Sequence, residues 1–388
     1  MEHSVDVEYM RQAIELAQRG AGWTNPNPLV GAVLVGDGRV IGCGYHERYG
    51  QAHAERNALA DCRVQGNDPR GATLYVTLEP CCHQGKQPPC TDAVIQAGIA
   101  RVIVGSRDPN PLVAGKGCAL LRQAGIEVVE DVARDECDAL NPIFFHYIQT
   151  GRPFVVAKWA MSLDGKICTH TGDARWVSNE RSRADAHELR HRLAAIMVGK
   201  GTVLADDPTL TARREQPSNQ PLRIVCDSRL SIPLTSKLVR SAGESPVLVA
   251  TALSEDCEAA LALRERGVEV ISVPHAPGCT GAMQQDARGG KVDLYALMQA
   301  LGQKGVDSVL VEGGGGLHEA MFAAGLVNQA IVYVAPKVVG GVDAKTPVEG
   351  QGVAAMADAY LLGEPAVHKL DGDIRLTYTV QPRAAADR

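Results

Sequence analysis

The apolar and polar positions switch repeatedly between two periods. Near the start, Tyr9, Ala13, Leu16 and Ala17 recur at helical spacing, with Asp6 as the expected N-cap and Gly20 as the stop. Short apolar runs at Val30–Val35, Leu74–Leu78, Arg101–Gly105 and Ile126–Val129 read as strands. Helices are expected near Ala54–Cys62, Thr91–Ala97 and Cys118–Gln123. Strands alternating with short helices imply a largely parallel sheet covered on both faces.

A further helix is expected near Ala133–Leu140. The stretch that follows, through Asn141-Pro142 to Ile148-Gln149-Thr150-Gly151-Arg152-Pro153, is polar and punctuated by Gly and Pro, and so marks the best domain boundary. The alternation then restarts. Strands are predicted at Phe154–Ala160, Ala194–Gly199, Leu222–Cys226, Val247–Ala250, Val268–Val273, Ser308–Val311 and Ala330–Val334. Helices are predicted at Asn179–Leu193, Glu255–Arg266, Leu294–Leu301 and Leu317–Ala324, with Pro274–Gly290 as a loop and Ala384–Arg388 as a frayed end. The expectation is two α/β domains, residues 1–150 and 151–388, with no internal repeat between them.

Composition narrows the function classes. At 388 residues, two or three domains are affordable, and 45% hydrophobic content excludes wholesale disorder. A formal net charge of −6 argues against non-specific nucleic-acid binding, which needs a basic surface. No apolar run is long enough for a membrane span, and the charged first helix lacks a signal-peptide core. A cytoplasmic location is therefore expected, where eleven Cys stay reduced and clustered ones point to metal or catalysis.

Such a cluster is present. His53-Ala54-Glu55 opens a helix, and a strand later comes Glu79-Pro80-Cys81-Cys82-His83-Gln84-Gly85-Lys86-Gln87-Pro88-Pro89-Cys90, with another helix behind it. His53, Cys81 and Cys90 make a three-ligand zinc site whose fourth position is open to water. Glu55 sits two residues from His53, so it can face that position without being a ligand and carry protons. His-x-Glu alone usually marks a solvated helix start, and Cys81, Cys82, His83 and Cys90 also allow a closed structural site. Closed sites, however, usually pair Cys at short spacing, and no convincing second pair is present. The joint pattern of His-x-Glu, strand, Pro-Cys and helix follows the signature of zinc-dependent nucleobase deaminases.

Those deaminases usually have two residues between the cysteines, whereas Cys81 and Cys90 enclose eight. The longer loop resembles that of the riboflavin-pathway deaminases. The resemblance extends upstream to Asn25-Pro26-Asn27-Pro28-Leu29-Val30-Gly31-Ala32-Val33 and downstream to Asp108-Pro109-Asn110-Pro111. It implies that Asn27, His83, Lys86 and Asn110 hold the ring, ribose or phosphate of a pyrimidine ribose-phosphate substrate. Lys86 on the metal loop offers a point charge for a phosphate, and on sequence alone it could equally be a solvated loop lysine. Cys82 is read as a neighbour and not as a ligand.

In the second half, Val309-Leu310-Val311-Glu312-Gly313-Gly314-Gly315-Gly316-Leu317-His318-Glu319 runs from strand through glycines into helix. Backbone N–H groups there can approach a phosphate, but His318 stands where a dinucleotide fingerprint needs its third glycine. The runs Lys158–Lys166, Gly172–Trp176 and Gly201–Arg213 follow predicted strands as loops. They resemble the reductase half of the bifunctional riboflavin-biosynthesis deaminase–reductases, relatives in fold of dihydrofolate reductase. The resemblance implies NADPH contacts at Ala160, Trp176, Thr202, Asp206, Ser228 and Gly314, Gly315 and Gly316. It implies substrate contacts at Ala174, Arg190, Leu210, Arg213 and Glu312, with Lys158 near the sugar being reduced. Arg190 and Arg213 offer planar forks for a ribose phosphate. Arg190 paired with Asp185 or Glu188, and Trp176 in the core, are the bland alternatives.

The expected architecture is a cytidine-deaminase-like three-layer α/β/α domain followed by a dihydrofolate-reductase-like α/β domain. The expected activity is zinc-dependent deamination of 2,5-diamino-6-ribosylamino-4(3H)-pyrimidinone 5′-phosphate, then NADPH-dependent reduction of its ribosyl chain. A homo-oligomer, dimer or tetramer, is expected by analogy. The rival readings are a single-function deaminase with a non-catalytic second domain, and a non-catalytic zinc scaffold.

Overall fold

The computed structural model describes residues 2–111, 113–276 and 291–382. Most of the expected loop Pro274–Gly290, and all of the expected frayed end, lie outside the described residues. The chain divides between Gly151 and Arg152 into two compact units.

In the first unit the order is α1 (Glu2–Gln18), β1 (Gly31–Gly36), β2 (Arg39–Tyr45), α2 (Ala54–Val64), β3 (Thr73–Leu78), α3 (Cys90–Gln96), β4 (Arg101–Ser106), α4 (Lys116–Gln123), β5 (Glu127–Val129), α5 (Arg134–Asp138) and α6 (Pro142–Thr150). The sheet order is β2-β1-β3-β4-β5, and only the β3–β4 and β4–β5 pairs are parallel. Strand alternation feeds two cores. Ala32, Leu34, Leu74, Val76, Val102 and Val104 face a layer built with α2, α3 and α4, whereas Val33, Val35, Tyr75 and Ile103 face Met10, Ala13 and Cys137 on α1 and α5. This gives three layers, α/β/α.

Three details correct the sequence reading. Strand β2 is absent from the prediction, and it makes the sheet mixed. Asp37 and Gly38 both take positive φ and close a tight hairpin between β1 and β2, which pair antiparallel. Gly42 and Gly44 weaken the strand's apolar signal, but a Cβ on either would strike the backbone of α2, so they let that helix lie close. Asp6 is no cap, because α1 begins before it; buried in that helix, it accepts the Tyr75 hydroxyl at 2.6 Å and faces Arg101. The stretch after Asn141 is also not a bare linker. Pro142–Thr150 is a helix that buries Phe144 and ends at Gly151 in the left-handed conformation.

The second unit has β6 (Phe154–Ser162), α7 (Glu180–Arg192), β7 (Ala195–Gly199), α8 (Lys200–Asp206), β8 (Leu222–Cys226), α9 (Lys237–Arg240), β9 (Val247–Thr251), α10 (Glu258–Arg264), β10 (Glu269–Ser272), α11 (Leu294–Gln303), β11 (Ser308–Val311), α12 (Gly315–Ala323), β12 (Gln329–Ala335), β13 (Ala366–Leu370) and β14 (Asp373–Thr379). Its nine-stranded sheet runs β10-β9-β8-β7-β11-β6-β12-β14-β13. All seven predicted strands form and pair in parallel, β10 through β12. The two missed strands, β13 and β14, add antiparallel at the edge. β13 is exposed except at its last residue and β14 is mostly half-buried, so neither carries the apolar run that reveals a buried strand. Residues 200–206, expected as loop, form the helix α8.

Candidate functional sites

His53 immediately precedes α2, and Cys90 is the first residue of α3. Between β3 and α3 the chain makes a closed excursion, because the Cys81 carbonyl accepts N–H groups from Cys90 and Thr91. Both cysteines thereby return to one place. His53 Nδ1 lies 3.5 Å from Cys81 Sγ and 3.4 Å from Cys90 Sγ. A tetrahedral zinc with ordinary bond lengths would hold imidazole nitrogen and thiolate sulfur about 3.6 Å apart. The donor set and spacing therefore fit zinc. Among the described residues no fourth protein ligand joins the cluster, so Cys82 and His83 stand outside it.

The groups around this cluster are electrostatically tuned. Hydrogen bonds from Cys90 and His53 hold the Cys81 thiol far below the ordinary range. Glu55 is 3% exposed, and burial pushes its carboxyl up, as suits a group that takes and returns a proton. Glu79, quoted beside the cysteines, does something else. Its carboxylate accepts the N–H groups of Gly115 and Cys118 and so caps α4.

A cavity of about 290 Å³ opens beside the cluster. Asn27, His83, Lys86 and Asn110, separated in sequence, all line it. His83 Nδ1 is buried without a hydrogen-bond partner, an orphan that a ligand can satisfy. Lys86 is not simply solvated, since its ammonium sits 3.9 Å from the Tyr49 ring centroid. Two wall residues had no role assigned from sequence. His46 Nε2 lies 3.2 Å from Asn27 Nδ2, while its Nδ1 faces the Ala52 carbonyl. Burial raises Asp108 to about 6, and it accepts the Asn110 N–H. The repeated Asn-Pro motif pointed at Asp108, but nothing in the sequence separated it from a turn residue.

In the second unit the candidate residues gather where neighbouring parallel strands end, as α/β ligand sites do. Lys158 and Ala160 lie on β6, Thr202 and Asp206 on α8 after β7, Ser228 after β8, and Glu312 with Gly314, Gly315 and Gly316 after β11. The glycines divide by their surroundings. A Cβ on Gly313 or Gly315 would collide with Leu317 or Glu349, whereas Gly314 and Gly316 face open space. Behind them, buried His318 faces the Val311 and Pro347 carbonyls. Trp176 is no core residue: it is 62% exposed, and Arg183 stacks on it at 4.6 Å. Ala174 precedes it in the same segment, between β6 and α7.

The charges form a compact chain. Arg190 binds Glu312 with two parallel bonds of 2.8 and 2.9 Å, and Lys158 lies 3.5 Å from the same carboxylate. Burial alone would push Glu312 up, but Arg190 and Lys158 hold it well below the carboxylate range. Arg190 therefore pairs with neither Asp185 nor Glu188. Asp185 takes Tyr333 and Arg375, and Glu188 takes Arg192 and Arg214. Arg190's guanidinium is turned to Glu312 and to the Thr211 carbonyl instead of standing open. Arg213 keeps more freedom, with one nitrogen on the Thr209 and Thr211 hydroxyls.

Known proteins resemble the chain over nearly its whole length. A model described as the RibD C-terminal domain matches residues 153–370, and one for the cytidine and deoxycytidylate deaminase zinc-binding region matches residues 3–106. The riboflavin biosynthesis protein RibD of Actinobacillus pleuropneumoniae is 49% identical over 97% of this chain and 95% of its own. The chain belongs to the RibD family. The family member of Escherichia coli is 40% identical over 91% of this chain and 94% of its own. Among solved structures, RibD of Acinetobacter baumannii superposes with a TM-score of 0.84 at 35% identity, covering 98% of this chain and 99% of that one. A Thermotoga maritima protein titled diaminohydroxyphosphoribosylaminopyrimidine deaminase/5-amino-6-(5-phosphoribosylamino)uracil reductase gives 0.84 at 34% identity, covering 98% and 100%.

As a RibD protein the chain is a bifunctional deaminase and reductase of riboflavin biosynthesis, with zinc and NADPH as cofactors and a small molecule as substrate. The single-function reading and the zinc scaffold are not favoured. The deaminase-like and dihydrofolate-reductase-like folds are those expected. No helix among the described residues is long and apolar enough to cross a membrane.

Proposed function

We propose that residues 1–150 deaminate and residues 151–388 reduce, in that order, on one pyrimidine ribose-phosphate. The first substrate is 2,5-diamino-6-ribosylamino-4(3H)-pyrimidinone 5′-phosphate, in line with the activities the Thermotoga relative is named for. The observation that carries the deaminase assignment is the triangle of His53, Cys81 and Cys90 beside buried Glu55 at a cavity wall. His53, Cys81 and Cys90 hold the zinc, which when bound makes a water nucleophilic at neutral pH. Glu55, buried beside the three ligands, would accept a proton at its carboxylate while a hydroxyl group adds to the amino-bearing ring carbon. Glu55 then returns the proton to the amino nitrogen, the C–N bond breaks, and ammonia leaves. Asn27, His83 and Asn110 orient the ring and ribose, and Lys86 takes the phosphate.

NADPH, when bound, would supply the hydride that reduces C1′ of the opened ribosyl chain. Ala160, Trp176, Thr202, Asp206, Ser228 and Gly314, Gly315 and Gly316 hold that cofactor. Of the glycines, Gly314 and Gly316 have the open space a phosphate needs. Ala174, Leu210 and Arg213 bind the substrate, with Arg213 on its phosphate. Glu312, kept ionised by Arg190 and Lys158, accepts from the pyrimidine, and Lys158 meets the sugar.

The enzyme is cytoplasmic and homo-oligomeric in this reading. None of the ten described cysteines is in a disulfide, which suits a reducing compartment. One coupled assay tests the assignment. Supplied with the diaminopyrimidine phosphate, the protein should release ammonia and then consume NADPH. Glu55→Ala should keep its zinc and lose both signals, and reduction should return when deaminated intermediate is added. Unchanged ammonia release in Glu55→Ala would overturn the role of Glu55.

A further inference from the structure

Residues Thr209–Arg213 follow α8 and carry Leu210 and Arg213. Among the described residues this run makes no backbone–backbone hydrogen bond. Side chains from elsewhere take up its backbone groups instead. Arg223 on β8 donates to the Thr209 carbonyl at 3.1 Å, and Arg190 on α7 donates to the Thr211 carbonyl at 3.2 Å. Gln220 binds Ala212 twice, accepting its N–H at 2.9 Å and donating to its carbonyl at 2.9 Å. The Arg213 N–H donates to His187 Nδ1 at 3.3 Å.

The run is held in a conformation it would not choose. Leu210 has a φ of 53° and is only 4% exposed. A leucine in the left-handed region persists only where its surroundings impose it. The means of holding is also unusual. Arg223 is fully buried, yet its bonds go to three carbonyls (Thr209, Ser241 and Ser245) and the Ser241 hydroxyl, and none to a carboxylate. A buried guanidinium with only neutral acceptors is a costly anchor, and apolar packing would stabilise the fold more simply. What the arginine supplies is direction, since its planar fork sets where each carbonyl lies. Gln220 does the same for Ala212, standing in for a neighbouring strand.

We propose that Gln220 and Arg223 are positioning residues of the reduction, fixing Thr209–Arg213 so that Leu210 and Arg213 meet the substrate. This rests on the reading of Leu210 and Arg213 as substrate contacts. Neither positioning residue touches the reacting atoms. Because Arg190 binds both Glu312 and Thr211, the same cage also ties the loop to the charged centre.

The full-length, zinc-loaded protein tests this with deaminated intermediate as substrate. Four quantities are measured: KM, kcat, NADPH affinity by fluorescence, and ammonia release from the first substrate. Gln220→Leu is expected to raise KM about tenfold with kcat changed less than about twofold. NADPH affinity and ammonia release should stay at the wild-type level. Gln220→Glu keeps the acceptor but loses the donor, and should fall between. Arg223→Met should act in the same direction as Gln220→Leu; if it fails to fold, the Gln220 pair still decides. Arg213→Ala separates the two layers of the argument. If Arg213→Ala raises KM while Gln220→Leu leaves it unchanged, the positioning role is overturned. If Gln220→Leu lowers kcat and NADPH affinity as far as it raises KM, the cage is merely structural and the proposal also fails. If Arg213→Ala leaves KM unchanged, the substrate reading of the loop falls first.

Discussion

The two sites are built in opposite ways. In the first unit the candidate chemistry is concentrated in a short stretch, and the starts of α2 and α3, with the loop between β3 and α3, bring three candidate ligand atoms together. In the second unit Lys158, Arg190 and Glu312 come from three distant segments and satisfy one another. A metal site tolerates little geometric error, so its ligands ride on the ends of regular elements in a motif that stays recognisable. A site made of buried charges needs each one balanced, and any fold that delivers the partners will do. The first kind of site can be read from spacing; the second cannot.

That contrast can be broken at five points, beginning with the largest effect. Cys90→Ser should strip the zinc and abolish ammonia release, while NADPH oxidation with supplied intermediate continues. Metal analysis alongside both assays would reveal any loss of reduction, which would end the picture of separable sites. Glu55→Gln is next, because it leaves all three ligands in place. Ammonia release should fall by roughly 10²–10⁴-fold with the zinc content unchanged.

Glu312→Gln probes the second kind of site, for it removes the one anion between two cations. It should cost about 3 kcal/mol of stability and most of the reductase rate, read by denaturant unfolding and NADPH consumption. A fully stable variant would mean that Arg190 and Lys158 find other partners. Smaller still is a difference between glycines. Gly316→Ala should weaken NADPH binding about tenfold by intruding on open space, with little change in melting temperature. Gly315→Ala should instead lower the melting temperature, because its Cβ meets Glu349.

A pH effect completes the series. Burial, with Arg190 and Arg213 nearby, lowers His187 to about 4. Between the ordinary histidine value and that one the unfolded chain binds a proton that the folded chain refuses, so stability falls as pH drops through this window. His187→Gln should flatten that part of the acid unfolding curve and leave the neutral region alone.

Much of the fold was legible because buried parallel strands are short apolar runs. The seven parallel strands of the second unit each announce themselves, whereas exposed β13 and half-buried β14 do not. Strand β2 hid behind Gly42 and Gly44, although Asp37-Gly38 is a hairpin signal that could have revealed it. Helix α8 reads as loop in the sequence because only seven residues follow a glycine there. Asp6 has the composition of a cap, and only the neighbourhood of Tyr75 and Arg101 shows why it is buried inside a helix.

What the sequence determined by itself is the zinc chemistry. A histidine, two cysteines and a glutamate at that spacing leave little choice once a strand and two helices are assumed, since metal geometry and helix ends act over a few residues. Only the tertiary structure decided what the arginines do. Arg190 turns to Glu312, 122 positions away along the chain, and Arg223 is buried against carbonyls. A charge pairs with whatever the fold brings within a few ångströms, and that distance has no local signature in the chain.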